Sequence, residues 1–278
     1  MSALLAIDGD ILLYSCGFAN ETQPLSFAKH AMKLQIEKIC ASCCVNPEDM
    51  LLVFSGPENF RDKVATMQPY KGNRKNVTKP IHYDDLKSWA IARYAPVVSE
   101  DEEADDVLGK LLAQGHVDTI ATIDKDLNMI PGTHYNWKHD SVTEVTEEQG
   151  INFFIEQLIS GDATDNIPGL FRCTGMKGSQ KIKDRCTSKA LPGEKYMEVV
   201  KVYAEGLCEQ YKKTHGQDEL HHVVLNELES EAARMVNEIG ELLWIRRDNK
   251  PYSEHMLKWL TDWHDAQQEG YGNEKESS

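Results

Sequence analysis

The sequence predicts an α/β fold, with a mostly parallel central sheet flanked by helices and an α-helical extension toward the C-terminus. Three observations carry this. Short apolar runs at residues 3–7, 50–54 and 119–123 each stop at turn-forming or acidic residues, as buried parallel strands do. Stretches with helical spacing separate those runs, which is the pattern of crossover connections between parallel strands. After Gly150 the strand signal fades and only helical patterns remain.

Element by element, residues 3–7 (Ala-Leu-Leu-Ala-Ile) read as a buried strand ending at Asp8-Gly9-Asp10. Residues 26–44 read as a helix, with Ala31, Leu34, Ile36 and Ile39 on its apolar positions. A second strand over residues 50–54 is stopped by Ser55-Gly56-Pro57, and residues 83–94 are helical before a short apolar run at 96–98. Glu102-Glu103-Ala104-Asp105-Asp106 then opens a helix that reaches about residue 113, with Val107, Leu108, Leu111 and Leu112 as its apolar stripe. The macrodipole tolerates carboxylates on a first turn but does not offset so many, and they raise one another's pKa unless a cation is near. A third strand, 119–123, is closed by Asp124-Lys125-Asp126. Helical patterns follow at 151–160, 194–214, 219–246 and 253–268, and the polar residues 270–278 are expected to be disordered. No internal repeat is present.

Composition limits the function classes. The chain has 278 residues, 41% hydrophobic and 27% charged, enough for one large domain or a domain with an appendage. No apolar run approaches the roughly 20 residues that span a bilayer, so no membrane partner is expected. The N-terminus enters an apolar strand without a basic leader, so a cytoplasmic location is expected. Seven cysteines, an odd count without framework spacing, point to reduced thiols, and the C-x-x-C at Cys40 and Cys43 lies on an apolar helix pattern that favours buried thiols over zinc. The net charge of −15 argues against nucleic-acid binding by the whole surface. Two basic islands break that acidity: Arg61, Lys63, Lys71, Arg74, Lys75 and Lys79, then Arg172, Lys177, Lys181, Lys183, Arg185 and Lys189. Either could hold phosphates or be an ordinary solvated face.

The acids recur where a parallel sheet binds ligands, outside the carboxyl ends of its strands. Asp8 and Asp10 follow the first strand, Asp124 and Asp126 the third, and Glu103, Asp105 and Asp106 open a helix. Asp162 and Asp165 sit in the turn-rich Gly161-Asp162-Ala163-Thr164-Asp165-Asn166-Ile167-Pro168-Gly169. One such pair is usually structural; several around one cleft suit two hard cations with oxygen ligands and phosphodiester hydrolysis. The basic segment Gln68-Pro69-Tyr70-Lys71-Gly72-Asn73-Arg74-Lys75 offers an aromatic for stacking beside cations for phosphate.

In this order the motifs resemble the 5′-nuclease and flap-endonuclease family, with stand-alone tailed-phage 5′→3′ exonucleases as the nearest type. Glu103-Ala104-Asp105-Asp106 resembles its E-A-D-D helix start, Asp124-Lys125-Asp126-Leu127 its D-x-D-L strand end, and residues 161–169 its G-D-x-x-D-N-I-P-G loop. Tyr70-Lys71-Gly72-Asn73-Arg74 resembles the Y-K-x-N-R of its helical arch. The resemblance implies a PIN-like nuclease core over 1–165 with an arch at about 60–95, and a helical DNA-binding region over 166–269 with a helix–hairpin–helix-like element. It implies two Mg²⁺ or Mn²⁺ ions, the first held by Asp8, Glu103, Asp105 and Asp106 and the second by Asp124, Asp126, Asp162 and Asp165. Lys71 and Arg74 would contact the scissile phosphate, and Tyr70, Lys75, Lys79, Lys177, Ser179 and Lys181 would bind DNA, with K⁺ at the hairpin element. The implied substrate is DNA with a free 5′ end or flap, or an RNA–DNA hybrid, in replication or degradation beside replication proteins, in host cytoplasm for a viral enzyme. One departure is Ser55, where many members carry an aspartate; Asp10 or Glu58 would have to make up that charge. Two other readings stay open, a non-catalytic binder of branched DNA and a haloacid-dehalogenase-type phosphohydrolase prompted by Asp8-Gly9-Asp10.

Overall fold

Apolar residues that alternate with helices become a sheet buried on both faces. The computed structural model describes residues 4–74, 77–216 and 219–276, with side chains to residue 266. The chain divides into two compact units. The first comprises Met1–Phe60, Asn76–Gly150 and Ile245–Asn249, the second Arg61–Lys75, Ile151–Trp244 and Lys250–Ser278. The segments 61–75 and 151–165, which the sequence groups with the core, thus cluster with the later helices.

The first unit holds a six-stranded sheet in the order β3-β2-β1-β4-β5-β6. Its strands are β1 (Leu5–Asp8), β2 (Met50–Phe54), β3 (Val97–Val98), β4 (Thr119–Ala121), β5 (Gly132–Asn136) and β6 (Ser141–Val145). All neighbours run parallel except the β5–β6 hairpin. β1 sits between β2 and β4, with Leu5 opposite both Met50 and Thr119. Its four residues are fully buried, as a strand covered on both faces requires. Helices α1 (Gly9–Ala19), α2 (Leu25–Ser42), α4 (Tyr83–Tyr94) and α5 (Ala104–Ala113) belong to this unit. Leu12 and Leu13 of α1 and Met32, Ile36 and Ile39 of α2 join Leu5, Ile7, Leu52 and Phe54 in one apolar cluster.

Two features were not anticipated from the sequence. No helix was expected after the first strand, yet at Asp8-Gly9-Asp10 the chain passes from β1 directly into α1, with Asp8 as its N-cap. A Cβ on Gly9 would lie 2.4 Å from the Phe54 ring and 2.6 Å from the Val53 carbonyl, so only glycine lets the strand become helix there. The β5–β6 hairpin was not anticipated because β6 is an edge strand whose residues, Val142 among them, are exposed until Val145.

The second unit is helical. It contains α3 (Arg61–Val64), α7 (Leu170–Thr174), α8 (Gln180–Thr187), α9 (Pro192–His215), α10 (His222–Leu243) and α11 (Tyr252–Glu276), with α6 (Glu147–Ser160) running into it from residue 147. Phe154, Trp244, Tyr252 and Trp259 form its aromatic centre, with Phe154 and Trp244 edge to face at 5.0 Å. α11 continues to Glu276, so residues 270–276, expected to be disordered, are placed in helix. An established helix gains one hydrogen bond per added residue, which favours propagation over restarting.

The segment 61–74 is fastened within this unit at both ends. Buried Arg61 donates to the carbonyls of Leu242 at 2.8 Å and Trp244 at 2.9 Å, satisfying acceptors that the C-terminus of α10 leaves open. Buried Glu238 accepts from the amides of Thr66 and Met67, both at 2.7 Å, and from the Thr66 hydroxyl. Arg61 is therefore a helix-end donor and not part of a solvated basic face. No helix among the described residues is long and apolar enough to cross a membrane.

Candidate metal and phosphodiester site

At the carboxyl edge of the sheet in the first unit, three strand ends and one helix start present polar groups. Asp8 at the end of β1 is 2% exposed; its Oδ1 accepts from the Ile11 amide at 3.2 Å and its Oδ2 from the Thr122 hydroxyl at 2.9 Å. Burial, then the charge of Asp10, and more weakly that of Asp124, push the Asp8 carboxyl up to about 7, against the pull of its two hydrogen bonds. Asp10, in the first turn of α1, accepts from the Ser55 amide at 3.1 Å through Oδ2, while its buried Oδ1 has no hydrogen-bond partner. Thr122 also accepts from the Asp124 amide at 3.0 Å, and Asp124 Oδ1 accepts from the Asp126 amide at 2.9 Å. Thr122 therefore ties β4's end to β1's.

Ser55, the departure from the family pattern, has a defined job. Its hydroxyl accepts from the Ala104 amide at 2.9 Å, at the first residue of α5, while its amide binds Asp10. The serine thus docks the start of α5 against the end of β2, with Asp10 bound to its amide. Glu103 and Asp105, half-buried, flank that docked residue.

The acidic helix start divides into two kinds of residue. Asp106 is 0% exposed and accepts from the Glu103 amide at 3.1 Å, closing a capping box, and from the Arg246 amide at 3.0 Å. Glu102, 6% exposed, pairs with Lys110 and with Arg246 at 3.5 Å. The Arg246 guanidinium also stands 3.9 Å over the Phe60 ring. Glu102 and Asp106 are thus engaged in holding α5 to segment 245–249, and the Glu103 carboxylate accepts from the Asp106 amide in the same capping box.

Two residues at this edge escape motif reasoning. Thr122 had a faint signal, a hydroxyl inside an apolar strand. Lys87 of α4 had none; its ammonium donates to the Ser55 carbonyl at 2.8 Å and lies 5.6 Å from the Phe54 ring centroid. Lys79 stands 4.4 Å over the Tyr83 ring. Lys125 pairs with Asp126 at 3.2 Å.

The donor set fits a divalent cation. Aspartate oxygens are hard ligands, the orphaned Oδ1 of Asp10 lacks a partner, and Asp8 is pushed toward protonation by burial and then by the charge of Asp10, which a cation would offset. The carboxylates are neighbours and not a finished chelate: among the described residues no three His, Cys, Asp or Glu side chains already stand as a ligand group.

In the second unit, the loop 161–169 folds on itself. Asp162, 8% exposed, caps the loop by accepting from the Thr164 and Asp165 amides at 2.6 and 3.3 Å. Gly161 has φ +66 and no room for a Cβ, which would sit 2.4 Å from the Gly169 nitrogen. Asp165 takes the Tyr70 hydroxyl at 2.8 Å, the Lys71 ammonium at 3.6 Å and the Arg74 guanidinium. Tyr70 is 8% exposed, so its ring offers no open face for a base. Lys75 lies outside the described residues.

The second basic island is partly neutralised within the unit. Arg185 pairs with Glu198 and Glu205, Lys189 with Glu198, Lys183 with Glu156, and Arg172 binds Gln68 and Asn166. Lys177 and Lys181 keep exposed positions at the turn 175–179 and on α8. Ser179 is the N-cap of α8, accepting from the Ile182 amide at 3.4 Å. Alanine at Lys177 or Lys181 is expected to weaken duplex binding about equally for all sequences and to lower the salt slope by about 1 each. Fluorescence-anisotropy titrations at several salt concentrations check this; an unchanged slope removes both lysines from the interface.

The sequence matches no family model and no curated protein. The fold does have solved counterparts. The catalytic core of Rad2 in complex with DNA substrate superposes with a TM-score of 0.50 at 14% identity, covering 95% of this chain and 91% of that one. A second Rad2–DNA complex gives 0.49 at 15% identity over 90% and 81%. The Holliday junction-resolving enzyme GEN1, with product DNA and Mg²⁺, gives 0.43 at 16% identity over 84% and 56%. At such identities the likeness concerns the fold alone. The chain has the mixed α/β architecture of the Rad2 catalytic core, a six-stranded, mostly parallel sheet flanked by helices.

Proposed function

We propose that the chain is a divalent-metal-dependent, structure-specific nuclease that hydrolyses DNA phosphodiesters at 5′ ends or flaps, as a stand-alone 5′→3′ exonuclease of the phage type would. The observation that carries this reading is the strand-end cluster: Asp8 pushed up to about 7 beside Asp10 and Asp124, with the orphaned Asp10 oxygen among them. DNA as substrate draws support from the Rad2 core, whose solved structure contains it.

Asp8, Asp10 and Asp124, with Glu103 and Asp105 from α5, would hold the cation. Bound there, a divalent ion lowers the pKa of a water and stabilises charge on the departing oxygen. The chain's own residues set the stage for this. Thr122 orients Asp8 by donating to it, and the Ser55 amide orients Asp10. Lys87 brings a fixed positive charge to the same edge, where a phosphate needs it. Asp8 is a poor candidate for the dehalogenase-type nucleophile, because both of its oxygens accept hydrogen bonds and it is buried.

The test is cleavage of 5′-labelled duplex, flap and RNA–DNA hybrid with Mg²⁺ or with EDTA. Cleavage should require the metal and release products bearing 5′-phosphates. Asp124→Ala should abolish turnover with DNA affinity intact or improved, since removing a carboxylate relieves repulsion against phosphate. Cleavage in EDTA, or none with Mg²⁺, overturns the reading.

A further inference from the structure

Asp165 gathers more partners than any other carboxylate of the loop 161–169, and all of them come from one segment. Its Oδ1 pairs with the Arg74 guanidinium; its Oδ2 accepts from the Tyr70 hydroxyl at 2.8 Å and stands 3.6 Å from the Lys71 ammonium. Its carbonyl accepts the Lys71 amide at 2.8 Å. The neighbours repeat the theme. Asn73 donates to the Ala163 carbonyl at 2.7 Å, Arg74 to the Thr164 carbonyl at 3.1 Å, and Asn166 to the Pro69 carbonyl at 2.9 Å. Lys71 and Asn166 adopt the left-handed region, with φ of 49 and 60, which costs energy that these bonds offset.

Both oxygens of the Asp165 carboxylate are engaged, by two cations and a hydroxyl, and its side chain is 19% exposed. Two long, rotamer-rich side chains are held by one anion, and a backbone bond keeps their segment in register. We propose that Asp165 is a positioning residue for Lys71 and Arg74, fixing where these two cations stand to receive a nucleic-acid phosphate. The inference rests on the nucleic-acid reading above. Phosphate is the same class of acceptor as carboxylate for a guanidinium, so the pair is pre-aligned for the anion it later meets.

The experiment compares wild type, Asp165→Asn, Arg74→Gln and the double variant. Two quantities are measured: Mg²⁺ binding by calorimetry without DNA, and binding of a 5′-phosphorylated flap duplex in EDTA at several salt concentrations. Asp165→Asn should leave the Mg²⁺ midpoint within about twofold. Arg74→Gln should lower the salt slope by about 1 in the wild-type background and leave it unchanged beside Asp165→Asn. The two substitutions should be non-additive in DNA affinity by about twofold or more. A purely structural role would move the melting temperature and leave the salt slopes additive, which overturns the proposal. A Mg²⁺ midpoint raised about tenfold by Asp165→Asn also overturns it, by making Asp165 a ligand. If Asp165→Asn does not fold, Asp165→Ser, which also removes the carboxylate, takes its place in the cycle with the same criteria. A wild type that binds no DNA defeats the nucleic-acid reading itself, an outcome separate from additivity in a protein that binds.

Discussion

Replacing Asp8 by asparagine is expected to lower turnover by at least about two orders of magnitude and, in the same protein, to raise metal-free stability at pH 8. Asparagine keeps the oxygen that caps α1 at Ile11 and can still bond Thr122, so the fold is preserved. The stability effect follows from the sign of the shift. The native state holds the Asp8 proton more tightly than the unfolded chain, with the carboxyl moved from 3.8 to about 7. The stability this confers is complete below about pH 4 and is lost as pH rises through about 7, a contribution on the order of 4 kcal/mol. Thermal melts in EDTA at pH 5 and pH 8 should show wild type losing more stability than Asp8→Asn across that interval. Added Mg²⁺ should restore wild type at pH 8 and do little for the variant. If the two proteins respond equally to pH, the strand-end acids do not repel one another as described.

The second large effect belongs to Arg61. Arg61→Ala removes two charge-assisted hydrogen bonds to the end of α10 and leaves the Leu242 and Trp244 carbonyls without that donor. A loss of roughly 3 kcal/mol or more is expected, lowering the melting temperature by about 10 °C for a protein of this size. Arg61→Lys should recover less than half, because an ammonium cannot reproduce the fork that spans both acceptors. Calorimetric unfolding decides it. A loss below about 1 kcal/mol would return Arg61 to the surface charges.

Much of the sheet was legible because its signals are local. Residues 50–54 and 83–94 are bounded by breakers or by a change of period, and the structure places β2 and α4 at those limits. α1 was hidden because Asp-Gly-Asp after an apolar run marks only the end of a strand, while tertiary packing against Phe54 makes it a helix start. The acids follow the same division. The places of Asp8 and Asp124 at strand ends were legible locally. The bonds that Asp106 and Asp165 make were not, since their partners lie far along the chain. Asp106 meets an amide 140 residues away, and the Asp165 carboxylate meets a guanidinium 91 residues away. Local pattern tells which residues are acidic and what element holds them; it does not tell which bonds occupy them.

The short return of Ile245–Asn249 to the first unit has a consequence for the order of events in synthesis. Arg246 supplies an amide to Asp106 and an ion pair to Glu102, and Arg247 donates to the Met129 carbonyl at 2.9 Å. On a ribosome adding about 5–20 residues per second, a growing domain ordinarily folds once its own stretch has emerged. Here the start of α5 gains its long-range contacts only once residue 246 has emerged. Until then Glu102 has Lys110 and Asp106 has the Glu103 amide, and the bonds of both to Arg246 are still to come. The first unit thus begins the chain and is among the last parts of it to be finished.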